Sequence, residues 1–311
     1  MTFSIVARCA RTGELGVAVS TAVPAVGSMC PYLRSGVGAV STQSWVNPYL
    51  AMDALDCLAQ GDSAEAALER VLRTDAAAAL RQIGIVDRDG RSAAWTGSDC
   101  TGWAGHRLGA DYAVQGNMLT GGDTIHAMAD AFEASAGAPL DERLMRALEA
   151  GQAVGGDRRG RQSAALYIVR REAYAALDLR VDEHAEPVAE LRRVLEVARH
   201  QLVPFIDAMP TRDDPGRAPP DEVTQMLLAS PAQRPGRAAA ADPHAPASEV
   251  LARWMGASFA PERAARNLSL YGGIVAEIER LRELDLTELH PAVIFDPLRS
   301  LKYGNNGGPD A

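Results

Sequence analysis

The chain begins MTFSIVARCARTGELGVAVST, Met1–Thr21. Two short apolar runs, Phe3–Ala7 and Leu15–Ser20, flank the turn sequence RTGE, a pattern that predicts an antiparallel strand pair starting almost at the first residue. Thr2 stands directly behind the initiator Met1. Loss of Met1 would leave a hydroxyl and a free α-amine on one residue, so that the amine can activate its own nucleophile. The simpler alternative is a strand threonine with no chemical role.

Working outward, valine- and alanine-rich runs recur at Val37–Thr42, Ile83–Val86, Ala93–Thr96, Tyr112–Gln115, Ala164–Val169 and Tyr174–Val181, separated by turns such as DRDG. Helical periodicity covers Pro48–Gln60, Ser63–Thr74, Thr124–Ala136, Leu140–Ala153 and Pro187–Gln201, with Ser63 and Asp123 expected as N-caps. Strands in blocks and helices in pairs imply sheets covered by helices, an α+β class, and not an alternating βαβ layout.

At 311 residues and 47% apolar, the chain is long enough for one large domain and a small one. Formal charge is −9, which disfavours nucleic acid as a partner. No apolar run reaches the roughly 20 residues of a membrane helix, and the N-terminus lacks secretory-signal features, so a cytoplasmic protein is expected. Cys9, Cys30, Cys57 and Cys100 form no C-x-x-C pair and the six histidines show no ligand spacing, so free thiols, no metal and no cofactor are expected. The only lysine is Lys302. Chemistry that needs a lysine in the first 300 residues is thereby excluded.

Nine of the 18 prolines fall between Pro204 and Pro246. This divides the chain into a main domain over residues 1–203, a proline-rich linker over 204–246 with a short helix near DEVTQMLLA, and a second, helical unit over 247–311. The second unit reads as a helical hairpin, ASEVLARWMG and PERAARNLSLYGGIVAEIERLREL, followed by an extended arm carrying Pro291 and Pro297. Two helices and an arm bury little of their own surface, so this unit needs another surface to lie on.

Three stretches carry candidate chemistry. In GGDRRGRQSAALYIV (Gly155–Val169), a glycine-rich turn places Asp157, Arg158, Arg159 and Arg161 just before a strand. An internal Asp157–arginine salt bridge in a solvated turn is the plain alternative to a binding role. VQGNML ends a strand with Gln115 and Asn117; an asparagine amide there suits either an oxyanion or an ordinary turn. STQSW supplies Thr42, Gln43 and Ser44 at another strand end, as substrate contacts or as structural hydrogen-bonding groups. His106 has no evident triad partner.

The motifs MTFSIVAR, GELGVAVSTAVPAVGS, GVGAVSTQSWVNP, RQIGIVDRDGRSAAWTG, WAGHRLGADYAVQGNML and GGDRRGRQSAALYIV together resemble the domain of unknown function 1028, a family assigned to the Ntn-hydrolase superfamily. The resemblance spans about residues 1–200. It implies a four-layer αββα sandwich in which an N-terminal threonine, serine or cysteine attacks an amide carbonyl. On that basis Thr2 is the expected nucleophile and base, and Asn117 the oxyanion donor. Asp157 and Ser163 are expected to attend the Thr2 amine. Arg158 or Arg161 is expected to hold a substrate carboxylate in place of the lysine that proteasome-like members use. Thr42, Gln43 and Gln115 complete the binding set for a small amide or ureido substrate.

The tail FAPERAARNLSLYGGIVAEIERLRELDLTELHPAVIFDPL is similar to the small GatC-like adaptors, particularly the AtzG type, that wrap around amidase-signature enzymes. This implies an amidase-signature partner and a homo- or hetero-oligomer, with Leu268, Ile274, Ile278, Leu281, Ile294 and Phe295 as partner contacts. Two readings follow: an amidohydrolase associated with such a partner, or a non-catalytic scaffold that binds and stabilises it.

Overall fold

The odd- and even-numbered residues of β1 (Thr2–Arg8) enter different cores, and this division organises the molecule. Phe3, Ile5 and Ala7 join the largest apolar cluster, whereas Val6 joins a separate one with Val17, Ala39, Val86 and Ala113. Alternate side chains of a strand point to opposite faces, so β1 is buried on both. The computed structural model describes residues 2–236.

The remaining strands are β2 (Leu15–Thr21), β3 (Pro31–Arg34), β4 (Gly38–Ser44), β5 (Arg81–Asp87), β6 (Ser92–Thr96), β7 (Trp103–Gly109), β8 (Tyr112–Leu119), β9 (Ser163–Val169) and β10 (Ala175–Val181). They form two antiparallel sheets, one ordered β10-β9-β2-β1-β8-β7 and the other β3-β4-β5-β6. The helices are α1 (Pro48–Ala59), α2 (Ala64–Thr74), α3 (Asp123–Ala134), α4 (Leu140–Ala153), α5 (Pro187–Gln201), α6 (Val203–Ala208) and α7 (Asp221–Leu228). Mixed α+β architecture is therefore observed.

Four apolar clusters fill the spaces between the described elements, the smallest made of Val19, Val26, Cys30 and Ala165. Phe3, Ile5, Val114 and Ile168 of the larger sheet meet Met128 and Phe132 of α3, Leu144 and Leu148 of α4, and Leu191 and Leu195 of α5. Val40, Ile83 and Ile85 of the smaller sheet meet Leu50 and Leu55 of α1 and Leu68 and Val71 of α2. Between the sheets lie Val6, Val17, Ala39, Val86 and Ala113.

All eight strands and five helices expected from pattern are present, and all four thiols are free. Two strands were not expected from the sequence. β3 is only four residues long and opens on Pro31, and β7, WAGHRLG, is an edge strand that is largely exposed and interrupted by glycine. The expected cap Asp123 is instead the first helical residue of α3, with Gly122 as N-cap, where its charge still complements the helix dipole. Ser63 caps α2 as expected, accepting from Ala66 N–H at 3.2 Å.

The proline-rich stretch carries α6 and α7, the latter at DEVTQMLLA. It is tied back by Arg170 to Asp207 at 2.7 Å, Tyr174 Oη to the Pro210 carbonyl at 3.1 Å and Gln201 Nε2 to the Pro235 carbonyl at 2.9 Å. The described residues belong to the first of two compact units, which divide after residue 237. The expected hairpin and arm, with Leu268, Ile274, Ile278, Leu281, Ile294 and Phe295, lie outside the described residues.

Two carboxylates tie the helices and loops of this scaffold. Burial opposes ionisation of Glu142, but the guanidiniums of Arg192, Arg199 and Arg146 outweigh it and hold its carboxyl at about 2. Arg81 holds Asp75 at about 2, against burial and with help from Ala77 N–H and the Asn47 amide. Both folded-state values lie below those of free carboxylates, so the unfolded chain takes up these protons first as pH falls. The stabilisation is complete above about pH 4.5 and is lost as pH falls towards 2. Urea midpoints should drop across that window, and Glu142→Gln should flatten the drop.

Candidate active site

Thr2 is in register with Thr21 on one side and Asn117 on the other, and Thr21 is in register with Ser163. Directly paired residues of antiparallel strands project from the same face. Asn117, Thr2, Thr21 and Ser163 therefore form one polar row at the end of the larger sheet, facing the smaller one. The Thr2 and Thr21 hydroxyls are 3.2 Å apart.

Beside this row opens a cleft of about 300 Å³ lined by Val23, Ser44, Trp45, Thr101, Asn117, Met118 and Arg159. Two of its lining residues have left-handed backbone without being glycine, Ser44 at φ 71° and Met118 at φ 51°. Such conformations cost of order 1–3 kcal/mol and persist where surrounding contacts impose them. Met118 is held from both sides, its N–H on the Thr101 carbonyl at 2.9 Å and its carbonyl accepting from Arg158 N–H at 3.4 Å. After Ser44, the Trp45 carbonyl accepts from Arg81 Nη1 at 2.7 Å, and Arg81 is anchored on Asp75 at 2.8 Å. The Trp45 side chain stays 66% exposed at the cleft wall.

The floor is a buried amide network between the sheets. Gln82 Nε2, with two hydrogens to give, faces three acceptors: the carbonyls of Gly116 at 2.8 Å and Gly105 at 3.1 Å, and Thr96 Oγ1 at 2.9 Å. Its Oε1 accepts from Asn117 Nδ2 at 2.9 Å and Gln43 Nε2 at 2.8 Å. Gln43 Nε2 also reaches the carbonyls of Thr2 and Gln115, each at 3.3 Å. Gln115 Nε2 donates to Ser4 Oγ at 2.6 Å, which donates to Gln43 Oε1 at 2.7 Å. Gly84 makes room for this, since a β-carbon there would lie 2.1 Å from Gln115 Oε1.

The arginine turn contributes differently from expectation. Asp157 is buried and accepts from Ala22 N–H at 3.1 Å, Arg159 N–H at 2.8 Å and the Arg159 guanidinium at 3.2 Å. The arginine lining the cleft is Arg159. Arg158 and Arg161, the two expected to hold substrate, are exposed and absent from the lining, and Arg161 pairs with Glu186. Arg159 folds back over the carboxylate two residues before it, whereas Arg161 reaches Glu186.

Ser163 donates to the Val23 carbonyl at 2.6 Å and accepts from Val26 N–H at 3.1 Å, so it secures the loop that forms one cleft wall. Thr42 is fully buried with its hydroxyl on the Asn47 carbonyl at 3.4 Å, and Gln43 and Gln115 belong to the floor network. None of these three lines the cleft. His106 Nδ1 is engaged by Thr96 Oγ1 at 2.9 Å. Among the described residues no cluster of three His, Cys, Asp or Glu suits a metal ion, and no helix is long and apolar enough to cross a membrane.

Gln82 and Met118 are the site residues that pattern did not single out as functional, whereas Ser44 and Arg159 stood in the candidate stretches without an assigned role. For Arg159 the signal was present in the turn. For Gln82, an amide at the second position of the strand RQIGIVD, directly before its apolar run, was the available hint.

The chain belongs to the family of unknown function DUF1028, whose model matches residues 2–191. Its fold is similar to that of the protein SPO2555 from Silicibacter pomeroyi, which carries the same family model, at 28% identity and a TM-score of 0.65. That match covers 70% of this chain and 98% of the other. Anbu, the ancestral beta-subunit, from Yersinia bercovieri matches at 11% identity and a TM-score of 0.33, over 67% of this chain and 98% of its own. No curated protein matches.

Proposed function

We propose that this protein is an amidohydrolase of the N-terminal-nucleophile type, built on a four-layer αββα sandwich and acting on a small amide or ureido compound that carries a carboxylate. The observation that carries this reading is the pairing of Thr2 with Asn117 beside a cleft walled by Arg159. After loss of Met1, the Thr2 amine takes the hydroxyl proton as Oγ attacks the carbonyl carbon. Asn117 Nδ2 has two hydrogens; one serves Gln82, and the second faces the developing oxyanion. The C–N bond then breaks as the proton passes to the leaving nitrogen. Water, activated by the same amine, hydrolyses the Thr2 ester and restores the hydroxyl.

Arg159 supplies the positive charge for the substrate carboxylate, with Asp157 fixing its position. Trp45 offers an exposed ring for a planar group. Ammonia release from N-carbamoyl amino acids and ω-amides by the processed chain is the direct test, and no release across the panel contradicts the reading. Arg159→Met should raise KM for carboxylate-bearing substrates about 10–100-fold and leave neutral amides nearly unchanged, as expected for loss of a charge-assisted contact.

A further inference from the structure

We infer that Gln82 is the positioning residue of this site, setting the direction of the Asn117 amide and through it the rate of attack by Thr2; the rate part rests on the proposed nucleophile. The assignment follows from the polarity of its partners. The carbonyls of Gly116 and Gly105 can only accept, so the Gln82 atom facing them at 2.8 and 3.1 Å is its nitrogen. The opposite end must then be oxygen, and the two side chains meeting it must donate.

Asn117 therefore presents Nδ2 to Gln82, which fixes which end of its amide faces inward and how the second N–H is directed. Gln43 is constrained independently, because its Nε2 also faces the carbonyls of Thr2 and Gln115. Its Oε1 is left to accept from Ser4. Every amide in this floor except that of Gln115, whose Oε1 lacks a partner, is thus oriented through a chain ending on backbone carbonyls. Gln82 is fully buried, and among the described residues it is the side chain that joins Asn117 to β4, β6 and the carbonyls of β7 and β8. A neutral apolar isostere at this position would leave Asn117 free to rotate.

The test uses the full chain with Met1 removed and p-nitrophenyl acetate as acyl donor. Acetyl transfer to Thr2 releases p-nitrophenolate, and the N-terminal peptide mass locates the acetyl group. Gln82→Met is expected to lower the maximal acetylation rate about 100-fold, the scale of a misplacement near 1 Å, with the half-saturating concentration changed less than about twofold. Gln82→Glu is expected to recover to within about tenfold, since burial keeps that carboxyl protonated and its OH can replace one N–H donor. Combining Gln82→Met with Asn117→Ala should be no slower than Asn117→Ala alone, since both substitutions act on the same amide. Independent, additive rate losses overturn the inference.

If Gln82→Met fails to fold, Gln82→Asn, which keeps the amide but shortens its reach, is expected to show a smaller loss of the same kind. The side-chain amide signals of Asn117 in a 15N-labelled chain separate the two claims. Signals that shift in Gln82→Met while wild-type Thr2 takes no acetyl group overturn the nucleophile reading and keep the positioning one. Signals that do not shift overturn the positioning claim whatever the acetylation result.

Discussion

Replacement of Thr2 by alanine is expected to abolish hydrolysis while leaving the fold intact. The described structural contribution of the hydroxyl is one hydrogen bond to Thr21 at 3.2 Å, worth about 1 kcal/mol, and alanine keeps the backbone pairing with β2 and β8. For a unit of this size that is a fall in Tm of about 2–4 °C. Loss of the nucleophile, by contrast, removes the covalent route, and turnover should fall on the order of 10⁴-fold or more. Thr2→Ser keeps both amine and hydroxyl and should stay measurably active. A Thr2→Ala protein retaining activity within tenfold of the parent is incompatible with an N-terminal nucleophile.

The second large effect is expected at Asp157, and it is one of stability as well as activity. Its carboxylate is 2% exposed and accepts three hydrogen bonds, two of them from Arg159 and one from the chain just after Thr21. Alanine removes the acceptor shared by two part-buried N–H donors and one guanidinium contact, a loss of about 2–4 kcal/mol. Thermal unfolding should drop by about 6–12 °C. Activity should fall even well below the new Tm, because Arg159 loses its anchor and the end of β2 beside Thr2 loosens. Asp157→Asn, which keeps an acceptor oxygen, should lose less on both measures. A Tm unchanged in Asp157→Ala would mean that the turn is a solvated one with no role in the site.

Much of the fold was legible because β1, β2, β8 and β9 are short apolar runs punctuated by unambiguous turns, and because α1 to α5 carry helical periodicity. The alternation Thr2, Ser4, Val6 against Phe3, Ile5, Ala7 encodes the two faces of the sheet within six residues. What pattern could not disclose is which polar side chains meet across the gap between sheets. Gln43, Gln82 and Asn117 are separated by 35 or more positions in pairs, and only stacking of the sheets makes them neighbours. Arg159 was one of several arginines in a turn, distinguishable from Arg158 and Arg161 only once backbone direction was known. β7 escaped because an exposed edge strand needs no apolar alternation.

The N-terminal residue of the mature protein tests the central claim most directly. Intact-mass measurement of the chain purified from its native host, with sequencing of the N-terminal peptide, is expected to find Met1 removed and Thr2 first. Retention of Met1 throughout the population would block the Thr2 amine and contradict the N-terminal-nucleophile mechanism.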